Sequence, residues 1–350
     1  MTTAAPTRVV VADDSRLMRH MLQTGLARRG FEVVGSAENG DEALELCKKV
    51  APDVLSLDLA MPGKDGIGVL RELQTWSKPV RVVVVSAFSP AHGARAVDAL
   101  AEGAVDLVAK PAIGDDLDEF FGDLSAKLEA ASRSRARARA AAPRPAAPAA
   151  PVRSSRPRSA PSAAAKLVVI ASSTGGPKAL AELLPQLPAT LGQGTIIVQH
   201  MPPGFTGSLA ERLDRASAIA VREAKDGDSF DPGVALLTPG GLHARIPAKG
   251  SVSLTEEPPI GGLRPRADLT IEDAAKLYGP KLLLVVLTGM GRDGQEGAEV
   301  VKKHGGRVFV EAESTCTVYG MPRSVSEAGL ADLELPLHEL AAAIAKEAGS

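Results

Sequence analysis

Three side chains with complementary chemistry follow three apolar runs in the second half of the chain. The run VVIA leads into Ser172 and Ser173, the run TIIVQ ends at His200, and LLLVVLTGMGR leads to Asp293. A hydroxyl, an imidazole and a carboxylate are the groups of a nucleophilic triad. If the runs are neighbouring parallel strands, their carboxyl ends share one sheet edge and the three groups can meet. The sequence therefore predicts a serine hydrolase site that needs no cofactor for ester hydrolysis.

The two adjacent serines differ in their predicted position relative to the end of the strand. Pro177 suits the first turn of a helix, so we expect a helix to begin near Gly176. Ser173 then lies in the strand-to-helix turn, where its side chain can project above the sheet edge, whereas Ser172 is still in the strand. The amides after Ser173 approach the helix N-terminus, which would stabilise an oxyanion. We therefore expect Ser173 to be the nucleophile; for SSTGGP taken alone, a plain cap and turn is the alternative.

A second interpretation of the same region is nucleotide binding. The segment GMGRDG at 289–294 matches the G-x-G-x-x-G pattern of dinucleotide-binding loops. Asp293 would place a negative charge beside a pyrophosphate, and the serine and the histidine would have no role, so this interpretation is weaker. Metal binding by the histidines is weaker still, because no two of them have the spacing of metal ligands.

The first half of the chain carries another group of polar residues at predicted strand ends. Asp13 and Asp14 follow one apolar run, Asp58 follows the third, Ser86 ends the fourth and Lys110 follows the fifth. Three close carboxylates repel one another unless a hard cation such as Mg²⁺ lies among them. With that cation and a lysine to neutralise charge, Asp58 could accept a phosphoryl group. The alternative is that each polar residue merely ends a strand.

Strand-like and helix-like segments alternate on both sides of a change in composition. Five strand–helix units within residues 1–131 predict a doubly wound, five-stranded parallel sheet of the flavodoxin type. The alternation resumes in residues 166–350, which predicts a second doubly wound, mostly parallel α/β domain. Within it, the turn-rich segment Ile219–Glu257 is expected to form a hairpin excursion.

The segment between these two domains, residues 132–165, has an unusual composition. Apart from Val152 it contains only Ala, Arg, Pro and Ser, including eight arginines and no acid. The prolines interrupt any helix and nothing in the segment can fill a core, so it is predicted to be a disordered linker.

The whole-chain composition excludes several classes of function. Aromatic residues make up 3% of the 350 residues and the net charge is −2, so neither base stacking nor a nucleic-acid or membrane surface is indicated. Two cysteines give no disulfide framework, and no apolar stretch has the length of a signal peptide or a membrane span. We expect a soluble cytoplasmic protein that binds no nucleic acid and does not insert into membranes.

The first half resembles a response-regulator receiver domain over roughly residues 7–128. The resemblance implies phosphorylation at Asp58, Mg²⁺ held at Asp13 and Asp14 together with Asp58, and contacts from Ser86 and Lys110 to the phosphoryl group. It also implies a sensor histidine kinase of the CheA type as phosphodonor. The matching stretches are DDS at 13–15, LDLAMPGKDG at 57–66, SA at 86–87 and KP at 110–111.

The second half resembles the CheB-type chemotaxis receptor methylesterases over about residues 166–348. The resemblance implies hydrolysis of glutamate γ-methyl esters, and deamidation of glutamines, on methyl-accepting chemotaxis proteins. Ser173 would be the nucleophile, His200 the general base and Asp293 its orienting carboxylate, with the backbone amides of Thr174 and Met290 as oxyanion hole. A hydrolase for another kind of receptor, and a regulator that only binds a partner, are the alternatives. The matching stretches are STGGP at 173–177, VQHMPPGFT at 198–206, TPGGLH at 238–243, LTGMGRDG at 287–294 and CTVYGMPRS at 316–324.

Overall fold

A computed structural model describes residues 5–87, 90–112, 114–134 and 166–349. By their internal contacts these residues divide into two compact units, one ending at Ser134 and the other comprising the described residues from Lys166 onward. Each unit is built around its own parallel sheet.

Among its described residues, the first unit contains five strands and five helices in strict alternation. The valines and leucines of its inner strands are buried because both faces of the sheet are covered by helices, as a doubly wound sheet requires. In chain order the elements are β1 (Arg8–Ala12), α1 (Arg16–Arg28), β2 (Glu32–Ala37), α2 (Gly40–Val50), β3 (Val54–Leu57), α3 (Gly66–Leu73), β4 (Arg81–Ser86), α4 (Pro90–Ala101), β5 (Asp106–Ala109) and α5 (Leu117–Arg133).

The order of strands in the first sheet explains where its polar residues meet. The order is β2-β1-β3-β4-β5, and every pairing is parallel. The connections leave in opposite directions from β1 and β3, so a crevice opens at the carboxyl ends of these neighbouring strands. Asp13 follows β1 and Asp58 follows β3, which places both carboxylates at this crevice. The predicted five-stranded flavodoxin-type fold is confirmed.

The second unit has nine strands and six α-helices among the described residues. Seven strands form one parallel sheet and two form a separate antiparallel hairpin. In chain order the elements are β6 (Leu167–Ser172), α6 (Gly176–Leu183), β7 (Thr195–Gln199), α7 (Thr206–Ala216), β8 (Ala220–Glu223), β9 (Val234–Leu237), β10 (His243–Arg245), β11 (Ser253–Thr255), α8 (Ala267–Tyr278), β12 (Leu282–Val286), α9 (Gln295–Lys303), β13 (Arg307–Glu311), α10 (Met321–Glu327), β14 (Leu333–Leu335) and α11 (Leu337–Ala348).

The second sheet also brings its predicted site residues to one place. Its order is β14-β13-β12-β6-β7-β9-β8, so β6 lies in the centre between β12 and β7. All six residues of β6 are buried, as expected for a central strand covered on both faces. The chain proceeds to one side of β6 through β7 and to the other side through β12, so the switch point again lies at the carboxyl ends. The predicted doubly wound α/β fold is confirmed.

The predicted hairpin excursion over Ile219–Glu257 is only partly right. Strands β9 and β8 extend the main sheet beyond β7, with β8 at its edge and both pairings parallel, and only β10 and β11 pair as an antiparallel hairpin. Both β8 and β9 have just four residues, too few for the sequence pattern to show which neighbours they pair with.

The start of the predicted linker also differs from the sequence expectation. Ser132 and Arg133 belong to α5, and the N–H of Ser134 still bonds to the Ala131 carbonyl at 3.1 Å. The remainder of the predicted linker, residues 135–165, lies outside the described residues. Within the described residues no helix combines the length and apolarity needed to cross a bilayer.

Candidate active site

Ser173 is the first residue of the turn that joins β6 to α6. Its N–H bonds to the Thr288 carbonyl at 3.0 Å, and its own carbonyl accepts the N–H of Gly176 at 2.7 Å, which closes a tight turn. Gly175 has φ +79°, a left-handed conformation that suits glycine, and α6 begins at Gly176 with Pro177 in its first turn. The predicted position of Ser173 in the strand-to-helix turn is confirmed.

Ser172 occupies a different environment. It is the last residue of β6, fully buried, and its hydroxyl donates to Gln199 Oε1 at 2.7 Å. The Gln199 amide in turn donates to the carbonyls of Ser173 and His200 at 3.0 and 2.9 Å. Because its hydroxyl is engaged inside the sheet, Ser172 serves to hold the two strand ends together.

His200 and Asp293 form a direct pair at the same sheet edge. His200 follows β7, and its N–H bonds to the Ser172 carbonyl at 3.0 Å, so it lies beside the end of β6. His200 Nε2 lies 2.6 Å from Asp293 Oδ2. Since Nε2 is occupied by the carboxylate, the nitrogen of the imidazole that remains for proton transfer is Nδ1. No hydrogen bond joins the Ser173 hydroxyl to the ring among the described residues, which is common for such sites without substrate.

The Asp293 carboxylate is enclosed by hydrogen-bond donors. Its Oδ2 accepts the N–H of Ala267 at 2.6 Å, and its Oδ1 accepts the N–H of Asp268 at 2.9 Å; both amides belong to the first turn of α8. Burial alone would raise the pKa of the Asp293 carboxyl, but the hydrogen bond to His200 and the charge of its ring hold that pKa well below its usual range. The carboxylate is therefore ionised and can orient the imidazole and stabilise its protonated form.

The loop after β12 packs directly against Ser173. A Cβ added to Gly289 would lie 2.9 Å from Ser173 Cβ and 2.3 Å from Met321 Sδ, so only glycine fits there. The next residue, Met290, is partly exposed, and its N–H donates no hydrogen bond within the described part of the chain. Because Gly289, which precedes this amide, packs against Ser173, the amide is a candidate oxyanion donor. Thr174, the other predicted donor, is buried directly after Ser173.

The predicted residues of the first unit also converge. Lys110 Nζ lies 2.7 Å from Asp13 Oδ2 and 2.8 Å from Asp58 Oδ2, and the amides of Leu59 and Ala60 donate to Asp58 Oδ1 at 2.7 and 3.3 Å. Carboxylate oxygens of Asp13, Asp14 and Asp58 lie within 4.8 Å of one another. Such a set of hard oxygen donors fits Mg²⁺.

Three further observations concern the charge and hydrogen-bonding capacity of this site. Burial raises the pKa of Asp13, and the charge of Asp58 adds to the effect although Lys110 opposes it. For Lys110, burial would lower the pKa of the ammonium, but the hydrogen bonds to the two carboxylates raise it, so the lysine is cationic. Ser86, at the end of β4, is buried and its hydroxyl has no partner in the described residues, so it can donate to a phosphoryl oxygen.

Two families of known proteins match this chain. The sequence model of the CheB methylesterase family matches residues 168–344, and that of the response regulator receiver domain matches residues 9–121. The chain belongs to the CheB methylesterase family. A protein-glutamate methylesterase/protein-glutamine glutaminase of Symbiobacterium thermophilum is 43% identical, with 98% of each chain covered. The equivalent protein of Thermotoga maritima is 39% identical, covering 95% of this chain and 96% of that one.

The fold comparison supports the same membership for the second unit. The crystal structure of the Thermotoga maritima CheB methylesterase catalytic domain is 45% identical over the aligned region, with a TM-score of 0.51. The aligned region covers 52% of this chain and 98% of the catalytic domain, so the match accounts for one unit of the chain. The family and the receiver domain that the sequence motifs predicted are therefore confirmed.

Several residues of this CheB-family site were missed by the sequence analysis. Asp268 and Arg266 lie next to Asp293, and Thr288 joins the loops around Ser173. An acidic residue in the first turn of a helix is an ordinary cap signal, so the PRAD segment gave no reason to connect Asp268 with the triad. Asp268 and Arg266 lie near Asp293 because α8 packs against α9, and a local sequence pattern does not show which helices pack together.

Proposed function

We propose that the second unit hydrolyses glutamate γ-methyl esters, and deamidates glutamines, on methyl-accepting chemotaxis proteins. The observation that carries this proposal is the 2.6 Å pair of His200 and Asp293 beside the Ser173 turn. The names of the relatives, which share 36–43% identity over nearly the whole chain, support the same substrate class. Ester and amide hydrolysis both require a nucleophile, a base and an oxyanion site, and this edge of the sheet supplies candidates for all three.

The first chemical step follows from the orientation of the imidazole. Asp293 engages Nε2, so Nδ1 of His200 takes the proton from Ser173 as its Oγ attacks the ester carbonyl carbon. The carbonyl oxygen becomes an oxyanion, which the amides of Thr174 and Met290 would stabilise. When the intermediate collapses, the ester C–O bond breaks, and methoxide leaves as methanol with the proton returned by His200.

The second step regenerates the enzyme. Water loses a proton to His200 Nδ1 and adds to the acyl carbon of the covalent intermediate. Collapse of that intermediate releases the glutamate carboxyl group and returns the proton to Ser173 Oγ. With a glutamine substrate the leaving group is ammonia, and the remaining steps are the same. Every group is supplied by the chain, and we expect no metal to take part.

The first unit is proposed to regulate this activity through Asp58. A sensor histidine kinase of the CheA type would transfer a phosphoryl group to an Asp58 oxygen, with Asp13 and Asp14 holding Mg²⁺ beside it. Bound Mg²⁺ would neutralise charge on the phosphoryl oxygens. Ser86 would donate to one of these oxygens, and Lys110 would pair with another. By family resemblance, the unphosphorylated receiver inhibits the esterase and phosphorylation relieves that inhibition.

The cellular setting is part of the same proposal. Cys47 and Cys316 are buried and do not form a disulfide, which suits a reducing compartment. We therefore place the protein in the cytoplasm, where it would act on the cytoplasmic part of its receptors.

Methanol release from receptor-containing membranes carrying labelled methyl esters tests the proposed activity. The full-length protein is expected to release labelled methanol, and a Ser173→Ala variant is expected to release none above background. Equal release by the two proteins would refute the proposed reaction. Free carboxyl groups appearing at glutamate positions, measured by mass spectrometry of the receptor, would identify the modified residues.

A further inference from the structure

At the N-termini of α8 and α9, each helix donates backbone N–H groups to an aspartate that belongs to the other. Asp293, which precedes α9, accepts the first amides of α8, and Asp268, in the first turn of α8, accepts amides of α9. The bonds from Gly294 N and Gly297 N to Asp268 Oδ1 are both 2.8 Å long. Each carboxylate therefore lies in the favourable field of the other element's helix dipole. The arrangement is reciprocal, so moving one aspartate disturbs the other.

A single arginine neutralises this carboxylate pair. Arg266 Nη2 lies 2.7 Å from Asp268 Oδ2, and Arg266 Nε lies 3.7 Å from Asp293 Oδ1. The same guanidinium reaches Glu296 at 3.3 Å on the exposed side. Asp268 is buried, and its burial together with the charge of Asp293 raises the pKa of its carboxyl above the usual value, whereas the Gly297 amide and the charge of Arg266 lower it and favour the ionised form. A buried carboxylate pair is costly unless donors and cations surround it, and here both are present.

The backbone that carries Arg266 is itself held by a buried histidine. The Arg266 N–H donates to His243 Nδ1 at 3.2 Å, so the ring carries its proton on Nε2, which faces the Pro258 carbonyl at 3.3 Å. Burial lowers the pKa of His243, in agreement with a neutral ring. The TPGGLH motif that ends in His243 thereby fixes the start of α8 and with it the amides that bind Asp293.

The loop that carries Asp293 has little stiffness of its own. It contains Gly289, Gly291 and Gly294, and the last two adopt φ of +84° and +95°. Glycines impose few restrictions on the backbone, so contacts at the end of the loop must fix where the Asp293 carboxylate lies. Asp268 supplies two of these contacts, at the residue directly after Asp293 and one turn further on.

We propose that Asp268 is a positioning residue of the esterase, which fixes Asp293 and thereby the orientation of the His200 ring. The proposal rests on the proposed function, because it assigns Asp268 to the same reaction. Asp268 touches neither the substrate nor the reacting atoms; it acts through Asp293. A mere helix cap would contribute stability alone, whereas a positioning residue affects turnover and the ionisation of the histidine.

The test compares Asp268→Asn and Asp268→Ala with Asp332→Asn in the full-length protein. Asn can keep the two backbone hydrogen bonds but removes the charge that pairs with Arg266, whereas Ala removes both. Asp332 is a matched control because it also accepts a backbone amide, that of Val308 at 2.8 Å, and pairs with Lys302 at 2.6 Å. These contacts lie at the start of β13, at the sheet edge opposite the triad.

We expect Asp268→Ala to lower kcat by about 10- to 100-fold, the range found for outer-shell partners of functional groups, with KM changed less than about twofold. For Asp268→Asn, the imidazolium loses a nearby negative charge while Arg266 loses its counter-ion. Both changes disfavour the protonated ring. The acid limb of the pH profile of kcat/KM should therefore move to lower pH. Asp332→Asn should lower the unfolding temperature without moving that limb.

A second measurement, which does not depend on activity, also tests whether Asp268 acts on His200. The His200 ring protons can be followed by NMR while pH is varied, and their midpoint should move to lower pH in Asp268→Asn. If the midpoint, the acid limb and kcat all stay at their wild-type values, Asp268 is only a helix cap and the proposal is wrong. That result can be told apart from failure of the proposed function, in which the wild-type protein releases no more methanol than Ser173→Ala.

Discussion

The two units place acidic residues at the same point of the same kind of sheet, but they balance the negative charge by different means. In the first unit, Asp13 and Asp58 face one another across β1 and β3, and Lys110 is the cation between them. In the second unit, Asp293 is held by amides of α8 and by His200. An acidic cluster that a lysine only partly neutralises can accept a metal and a phosphoryl group, whereas a carboxylate enclosed by fixed donors can only orient a neighbour.

The comparison shows how one architecture, the doubly wound parallel sheet, can provide sites for two different kinds of chemistry. The crevice at the switch point is a consequence of strand order, and it forms in both units whichever side chains follow the strands. What decides the chemistry is which side chains follow the strands and whether their charges are already balanced. Substitutions in each unit should therefore have effects of different size and different dependence on metal.

Removal of the nucleophile is expected to have the largest effect. Ser173→Ala should lower kcat by about 10⁵-fold or more, because the group that forms the acyl intermediate is missing. Ser172→Ala is the matched control: it loses one buried hydrogen bond to Gln199 and should retain most of its activity. Methanol release measured on both variants decides between the serines. If Ser172→Ala is the inactive variant, the interpretation of the turn is wrong.

Neutralising the enclosed carboxylate should have the next largest effect. Asp293→Asn is expected to lower kcat by about 10³- to 10⁴-fold, since an amide favours the wrong imidazole tautomer and cannot stabilise the imidazolium. The variant should still fold, because the amide oxygen can accept one of the two α8 N–H groups. Kinetics at several pH values are the measurement. Near-normal turnover in this variant would show that His200 is oriented by something other than Asp293.

Removal of metal should affect the activity that depends on the first unit and leave that of the second unit unchanged. EDTA is expected to abolish activation of the full-length protein by a small phosphodonor, because the carboxylates at Asp13 and Asp14 need Mg²⁺ to accept a phosphoryl group beside them. The basal esterase activity should be unchanged by the chelator. Asp58→Ala serves as the control, since it should lose the phosphodonor response and keep the basal rate. Basal activity that EDTA removes and zinc restores would point to a metallohydrolase instead.

The regulatory role of the first unit should give a smaller change. Deleting residues 1–165 is expected to raise the basal rate by about fivefold or more, the lower end of common coupling between sites. The sequence predicts a long, flexible linker, which would keep the docked state only partly populated and the inhibition incomplete. The comparison is made with full-length protein without phosphodonor. If the shortened protein is no faster, the receiver does not inhibit the esterase and would instead serve to bring it to its receptor or kinase.

Much of this molecule could be predicted from its sequence because both sheets are parallel and buried. The apolar runs identified the central strands, and Pro177 with Gly176 marked the start of α6 to the residue. The positions of Ser173, His200 and Asp293 then followed from the rule that parallel strand ends share one edge. The pattern did not predict that β8 and β9 belong to the main sheet, because strands of four residues carry too little periodicity.

The residues that support the triad could not be predicted, for a different physical reason. Asp268 lies 25 residues before Asp293, and its contacts depend on how two helices pack. Thr288 looks like an ordinary residue at the end of an apolar run, yet its backbone and hydroxyl join three separate segments. Contacts of this kind depend on distances in the folded chain, and a local pattern of polar and apolar residues contains no such information.

The smallest expected effect concerns this Thr288 contact. Its hydroxyl lies 2.9 Å from the Thr174 carbonyl and 3.2 Å from the Val318 carbonyl, and it accepts the Val318 N–H at 3.0 Å. Its backbone carbonyl also accepts the N–H of Ser173 at 3.0 Å. A single buried residue thus links the nucleophile turn to the loop on its far side. If the oxyanion amide at Thr174 is preorganised by this link, loosening it should affect the transition state more than substrate binding.

Thr288→Val keeps the shape of the side chain and removes the hydroxyl. Leaving the Val318 N–H unsatisfied should cost about 1–3 kcal/mol of folding stability. The looser oxyanion site should lower kcat by up to about threefold, or roughly 0.7 kcal/mol of barrier, with KM nearly unchanged. Thr270→Val is the matched control, because this buried threonine also donates to a backbone carbonyl, at 2.7 Å, but on a turn of α8 that does not touch Ser173. Both variants should therefore lose stability in urea or thermal unfolding, and only Thr288→Val should lose turnover. An equal loss of turnover in the two variants would mean that it follows from general destabilisation, and that the oxyanion site does not depend on the Thr288 hydroxyl.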